Sequence, residues 1–284
     1  MNAYGTTTIG IFKNVCFRKG FKMKRKIVLI IAIGVFLFSA YQLFHIYQEY
    51  YKGTKEYKEV RDDIITKVEP SEDSDLKETN KEEKLTAEEF QVDFDKLLEI
   101  NKDAIAWIRF DNPEKINYPV VQTTDNNTYL TKTITGQQNS SGSIFMDMIN
   151  ESDFTDRNTF LYGHNMKNGA MFGELDKYKV SDFCQKHPYF YIYTPDGKVR
   201  TYQVFAVAIV EDGSASYQIH FEYEKDFLAY VDMVRKVSLY DTKVPVGGED
   251  TIVSLSTCTN TTATQRLIVH GVLIETKMAE KGKR

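Results

Sequence analysis

The stretch that decides the fold is Thr251-Ile252-Val253-Ser254-Leu255-Ser256-Thr257-Cys258, a run rich in β-branched and apolar residues that ends on a cysteine. Eight residues after this cysteine, Arg266 opens a second apolar run that extends to Ile274. Runs of this length and composition predict two buried β-strands. We therefore expect Cys258 at the end of one strand and Arg266 at the start of the next.

A histidine follows a third predicted strand far upstream, where Thr159-Phe160-Leu161-Tyr162 stops at Gly163-His164-Asn165. A thiol-based acyl-transfer site uses these three residue types: cysteine attacks, histidine moves the proton and arginine holds the developing negative charge. A lone cysteine in a strand is more often a small buried hydrophobe. The signal is therefore the combination, strengthened by the hydroxyl-rich neighbours of Cys258.

The same stretches resemble the sortases, and more closely the class B sortases. The matching segments are Ser254–Cys258, Arg266–Val269, Leu161–Met166, Ile116–Gln122 and Gly142–Asp147. The resemblance runs from about Phe90 to about Ile274. It implies a mainly β fold with flanking helices, a closed β-barrel of about eight strands, an N-terminal helix and a helix between the late strands.

The resemblance also implies the roles of individual residues. Its catalytic residues match His164, Cys258 and Arg266, and its sorting-signal groove matches Asn126, Leu130 and Ser256. From the residues alone, Leu130 could equally be a core side chain and Asn126 a turn residue.

Two positions depart from the family pattern. Ser254 stands where a threonine is usual, and Thr259 stands where some class B relatives carry an acidic residue.

The implied activity is that of a membrane-anchored cysteine transpeptidase. It would cleave a C-terminal sorting motif of secreted proteins after Thr, through a thioacyl intermediate, and pass the acyl group to a peptidoglycan-precursor amine. No cofactor is implied, and no spacing of His and Cys suggests a metal site. Three alternatives stay open: a cysteine peptidase with water as acceptor, a pilin-polymerising sortase, and a catalytically silent surface adhesin or receptor domain.

The composition is that of an ordinary globular protein, with 42% hydrophobic and 27% charged residues among 284. A net charge of −4 gives no reason to expect nucleic-acid binding. Cys16, Cys184 and Cys258 do not form a disulfide framework. A bridge between Cys184 and Cys258 would disable the nucleophile. Because the family resemblance implies a free thiol at Cys258, we expect no such bridge and a buried side chain at Cys184.

The other histidines have simpler expected roles than His164, which can project from a sheet edge into a cleft. We expect His45 at the outer end of the apolar segment, His187 and His220 in exposed positions, and His270 as a hydrogen-bonded core residue.

The segment Ile27–Tyr47 carries no Asp, Glu, Lys or Arg and is long enough to span a bilayer. Basic residues precede it, which predicts a cytoplasmic N-terminus and an extracellular remainder. A signal peptide cleaved near Ser39-Ala40 is the competing interpretation, but the apolar run continues beyond it. Translation starting at Met23 is a further hypothesis, which N-terminal sequencing of the native protein would test.

The predicted organisation is a basic N-terminus (1–26), a signal-anchor (27–47), a charged stalk and linker (48–88), a catalytic domain (89–277) and a basic tail (278–284). Within the catalytic domain, helical spacing predicts a first helix from about Phe90 to Ile100 and a late helix within Phe221–Leu239.

Overall fold

The computed structural model describes residues 7–67, 87, 89–259 and 261–279, with side chains from Arg25 onward outside 66–67. The second half of the predicted stalk and linker (48–88) and most of the tail at 278–284 lie outside these described residues. The chain divides into two compact units, Met1–Tyr51 and Lys52–Arg284.

A long helix, α1, runs from Thr7 to Ile64. Its part from Arg25 to Ile64 is long and apolar enough to cross a membrane. Length and composition alone support this assignment, and a signal sequence meets the same criteria. The helix continues without a break into the predicted stalk and ends at Ile64, and its last turns belong to the second unit.

Eight strands of the second unit close into a barrel in the order β10-β8-β7-β3-β4-β5-β6-β9. The predicted closed barrel is therefore confirmed. Closure pairs the strand edges that would otherwise be exposed. The strands are β3 (Ala104–Phe110), β4 (Asn117–Val121), β5 (Ile144–Met146), β6 (Asn158–Tyr162), β7 (Tyr189–Tyr193), β8 (Lys198–Glu211), β9 (Ile252–Cys258) and β10 (Gln265–Met278).

Outside the barrel, β1 (Ile65–Lys67) pairs with β2 (Phe90–Val92). The first predicted helix starts later than expected, as α2 (Phe94–Ile100), because Asp93 caps it by accepting a hydrogen bond from the Lys96 amide at 3.1 Å. Phe90 instead belongs to β2 and packs on the ring of Tyr193, with centroids 4.9 Å apart.

The predicted late helix is α4 (Glu224–Val237), which lies between β8 and β9. Its apolar face packs against the outside of the barrel and includes Phe227, Tyr230, Val231 and Val234. The short α3 (Ser181–Lys186) lies earlier, between β6 and β7. Three short 3₁₀ helices lie in the loops, at Thr128–Leu130, Gly173–Lys179 and Ala215–Tyr217.

A polar cluster is buried between α4 and the barrel wall, where β9 lies between β6 and β10. Ser254 donates a hydrogen bond to Asn158 Oδ1 at 2.7 Å, so its oxygen must accept from His270 Nδ1 at 2.8 Å. The Asn158 amide in turn donates to the hydroxyl of Tyr230 at 3.0 Å. His270 Nε2 has no hydrogen-bond partner in the described part of the chain. The expected core histidine is thus bonded through one of its two ring nitrogens.

Complete burial lowers the pKa of His270 to about 3, because a charged imidazolium would be desolvated there. In the unfolded chain this side chain titrates near 6.5. Between these two values the unfolded state binds a proton that the folded state does not, so the folded state loses stability as the pH falls.

We predict that the free energy of unfolding falls by about 2 kcal/mol more between pH 7 and pH 5 in the wild type than in His270→Gln. The Gln side chain can still donate to Ser254 but does not titrate. Urea unfolding at several pH values measures the difference. Identical pH dependence in the two proteins would contradict the burial argument.

Candidate active site

Cys258 is the last residue of β9 and is exposed, whereas the six preceding residues of the strand are buried. It lies directly opposite Arg266 in the antiparallel pairing of β9 with β10. Neighbouring strands are about 4.8 Å apart, so the arginine side chain can reach over the cysteine. The barrel register therefore brings together the two residues that the sequence places at strand ends.

The guanidinium of Arg266 is held from two sides. Nη2 donates to Asp212 Oδ2 at 2.8 Å, and Nη1 donates to the carbonyls of Ala263 and Gln265 at 2.8 and 3.2 Å. The Arg266 side chain is 20% exposed. A partly desolvated, oriented guanidinium is a suitable group for binding an oxyanion.

His164 follows β6, which runs parallel to β9 with Tyr162 opposite Ser256. Both neighbours of the histidine are bonded to the cysteine strand. The Gly163 carbonyl accepts from Thr257 Oγ1 at 2.7 Å, and Asn165 Nδ2 donates to the Cys258 carbonyl at 2.8 Å. These bonds fix the backbone of His164 at the level of Cys258.

The histidine ring is anchored by a segment outside the strands, since Nε2 lies 2.7 Å from the carbonyl oxygen of Leu130. A carbonyl only accepts, so Nε2 carries the hydrogen and Nδ1 is the nitrogen left to exchange a proton. Gly163, just before the histidine, has no room for a side chain. A Cβ there would lie 2.8 Å from the Phe172 ring.

These residues border one cleft of about 440 Å³. All six residues predicted from the sequence lie on its wall. The lining consists of Asn126, Leu130, Phe145, Tyr162, Gly163, His164, Asp212, Gly213, Tyr217, Ser256, Thr257, Cys258 and Arg266.

The three predicted groove residues occupy different environments. Leu130 is 38% exposed, so the alternative of a core side chain is wrong. The Asn126 side chain is held in its loop by two hydrogen bonds. Its Nδ2 donates to Asp147 Oδ2 at 3.1 Å, and its Oδ1 accepts from the Met148 backbone N–H at 2.8 Å. The Ser256 hydroxyl lies 2.9 Å from that of Tyr217 and is almost covered.

No sequence pattern indicated a role for Asp212 or for the two cleft tyrosines, Tyr162 and Tyr217. Asp212 lies just after β8, and it reaches Arg266 only because β8 pairs with β10. Burial raises the pKa of Tyr217 to about 12. Burial and the nearby Asp147 carboxylate raise that of Tyr162 well above its usual value. Both phenols therefore stay protonated and give the cleft uncharged polar walls.

The other cysteine and histidine residues of the second unit lie outside the cleft. Cys184 is buried and Cys258 exposed, and both are free thiols. His220 is exposed, but His187 is only half-exposed because its ring bonds Asn112 at 2.9 Å. Thr259 is buried and does not line the cleft.

A family model of the sortase domain matches residues 112–274, more than half of the chain. The chain belongs to the sortase family. Sortase B of Listeria monocytogenes is 33% identical over 254 residues, covering 88% of this chain and 96% of the relative. Sortase B of Staphylococcus aureus is 32% identical over 190 residues, covering 66% of this chain and 77% of the relative.

Solved structures agree with this membership. The chain matches sortase B from Bacillus anthracis in complex with AAEK1 with a TM-score of 0.65 and 30% identity, over 81% of this chain and 99% of that one. It matches a Staphylococcus aureus sortase B–substrate complex with a TM-score of 0.60 and 31% identity, over 64% and 85%. This sortase is thus a class B cysteine transpeptidase. The family acts on protein substrates and uses a cell-wall amine as the acceptor. That membership argues against the silent binding domain.

The two described cysteines should differ sharply in reactivity. We predict that iodoacetamide modifies Cys258 at least 100-fold faster than Cys184 in the folded protein. Cys184 is 3% exposed, and burial raises the pKa of its thiol. Peptide mapping by mass spectrometry after timed labelling gives both rates, and labelling in denaturant, where they should converge, is the control. Equal rates in the folded protein would contradict the geometry.

Proposed function

We propose that this sortase cleaves a C-terminal sorting motif after Thr and transfers the acyl group to an amine of a peptidoglycan precursor. The observation that carries the proposal is the convergence of Cys258, His164 and Arg266 on one cleft, each fixed by strand pairing or by hydrogen bonds. These are the nucleophile, the proton carrier and the oxyanion donor that acyl transfer needs.

In the acylation step, the Cys258 thiolate attacks the Thr carbonyl carbon of the motif and forms a tetrahedral oxyanion. Arg266 donates hydrogen bonds to this oxygen. The carbon–nitrogen bond then breaks, and His164, protonated at Nδ1, gives its proton to the leaving amine. The products are a thioester on Cys258 and a neutral imidazole, whose Nε2–H still donates its hydrogen bond to the Leu130 carbonyl.

In the second step, the acceptor amine attacks the thioester and loses a proton to His164. The carbon–sulfur bond breaks, and the thiolate and imidazolium are restored. A peptidase would use the same intermediate with water as acceptor, which would place the enzyme among the hydrolases. A pilin-polymerising enzyme would use a protein amine. These alternatives differ only in the acceptor.

The groove residues are proposed to bind the motif. The exposed side chain of Leu130 offers apolar contact, and Ser256 offers a polar one through its hydroxyl or through the bonded Tyr217. Asn126 uses one amide hydrogen and one lone pair within the protein, so one of each remains for a substrate.

We also propose the arrangement in the cell. Residues 27–47 anchor the chain in the membrane, 1–26 lie in the cytoplasm, and 48–88 connect the anchor to an extracellular catalytic domain at 89–277 with a basic tail at 278–284. The long apolar helix and the basic residues before it support this arrangement. It places the site where secreted proteins and cell-wall precursors meet.

The deciding experiment uses the full chain in detergent micelles with quenched peptides that carry Asn-Pro-x-Thr-Asn, Asn-Pro-x-Thr-Gly, Leu-Pro-x-Thr-Gly or Ser-Pro-x-Thr-Gly. Oligoglycine or a diaminopimelate-type amine is the acceptor. We predict cleavage after Thr and a product joined to the amine, both absent in Cys258→Ala and retained in Cys184→Ala. Cleavage that no amine alters would favour the peptidase. No cleavage, with an unreactive Cys258, would refute the proposal.

A second test separates the charge of Arg266 from its shape. Arg266→Lys keeps the charge but loses the planar pair of donors, so we predict a fall in kcat of about 10²–10³-fold. Asp212→Asn keeps an oxygen acceptor for Nη2 and loses a half-exposed ion pair. We expect a fall in kcat/KM of up to about fivefold, consistent with an exposed pair. Full activity in Arg266→Lys would exclude the oxyanion role.

A further inference from the structure

We infer that Tyr57, in the last turns of α1, is a positioning residue for His164, acting through residues 129–143, the segment that follows β4 and leads into β5. The inference rests on the proposed role of His164 as proton carrier. It goes further by making part of the N-terminal helix a component of the active site.

The Tyr57 hydroxyl makes two hydrogen bonds to one segment and contacts it at a third point. It donates to the Gly142 carbonyl at 2.7 Å, accepts from the Ile134 amide at 3.2 Å, and lies 2.9 Å from Ser143 Oγ. The side chain is 5% exposed. A buried hydroxyl with several partners fixes their relative positions, because breaking any bond leaves a desolvated polar group.

Gly142 transmits this constraint to the histidine anchor. It has a φ of +56°, and a Cβ at this position would lie 2.7 Å from the carbonyl oxygen of Leu130. That carbonyl is the group that binds His164 Nε2. The next residue, Ser143, donates from its amide to the Tyr129 carbonyl at 2.9 Å and from its hydroxyl to the Lys132 carbonyl at 2.9 Å. The hydrogen bonds on either side of Leu130 therefore come from the residue next to the one that accepts from the Tyr57 hydroxyl.

The neighbouring residues of α1 reinforce the same contact. Glu56 accepts from the Thr135 hydroxyl at 2.6 Å. Gly53 lies so close to the segment that a Cβ there would be 2.9 Å from Ser141 Oγ. The same turn of α1 also contacts the loop that follows His164, because Thr54 Oγ1 accepts from Asn168 Nδ2 at 3.4 Å. This turn of the helix thus contacts both the segment that binds the ring of His164 and the loop that follows His164.

Loss of the hydroxyl should therefore loosen the Leu130 carbonyl and, with it, the ring of His164. Small displacements of a catalytic group cost up to about 100-fold in rate. We expect roughly a tenfold fall in kcat for Tyr57→Phe, with a change in KM below about threefold. The Phe ring keeps the edge-to-face contact with Tyr118, whose centroid is 5.3 Å away.

The experiment uses the full chain in micelles and compares Tyr57→Phe with Tyr51→Phe, an exposed tyrosine of the same helix. Peptide cleavage gives kcat and KM. ¹⁵N-histidine NMR at pH 8.5 reports the tautomer of His164, assigned with His164→Gln. The wild type should show hydrogen on Nε2, opposite to the Nδ1 hydrogen of His270. Tyr57→Phe should shift the His164 signals, and Tyr51→Phe should leave them unchanged.

The outcomes are distinct from those of the proposed function. If no peptide is cleaved, the proposed function fails, and the NMR comparison still decides the positioning. Unchanged kcat together with unchanged His164 signals in Tyr57→Phe would overturn the inference. If Tyr57→Phe unfolds at a much lower temperature, Glu56→Gln replaces it. We then expect a smaller shift of the same His164 signals, and the absence of any shift would overturn the inference.

Discussion

The pairing of β9 with two different neighbours is the constraint on which the site depends. Its antiparallel contact with β10 sets Arg266 opposite Cys258, and its parallel contact with β6 sets the His164 backbone beside the same residue. A slip of one residue in either pairing would turn alternate side chains to the other face. The buried bonds of Ser254 with Asn158 and His270 join all three strands at one level and thereby favour a single register.

The catalytic groups differ in how much of their position the barrel itself determines. Cys258 and Arg266 are strand residues, and rigid strands hold side chains well. The ring of His164 and the head of Arg266 extend beyond the sheet and need other partners, which are the Leu130 carbonyl and the Asp212 carboxylate. Both partners come from connections between strands. The chemistry thus depends on loops that are themselves fastened, one by the N-terminal helix and one by the strand pairing beside it.

The sequence was sufficient to predict the strands around Cys258, the late helix and the six residues that meet at the cleft. These predictions rested on local patterns and on the family resemblance. Asp212, Tyr217 and the Leu130 carbonyl were missed because their roles arise from tertiary contacts. No spacing along the chain indicates that the end of β8 lies beside Arg266, or that a backbone oxygen will bind the histidine. The start of α2 was misplaced because apolar periodicity outweighed the capping residue Asp93 in the prediction.

The parallel pairing of β6 with β9 also bears on when this protein becomes reactive. Thr257 and Gly163, which hold the cysteine and histidine segments together, are 94 residues apart. Contacts at such separations form slowly, because a long loop must close before they contribute any stabilisation. The thiol thus acquires its partners only when the last two strands have joined the sheet. An incomplete or partly folded chain carries the cysteine without the groups beside it, so that the order of folding itself delays acyl transfer until the barrel is closed.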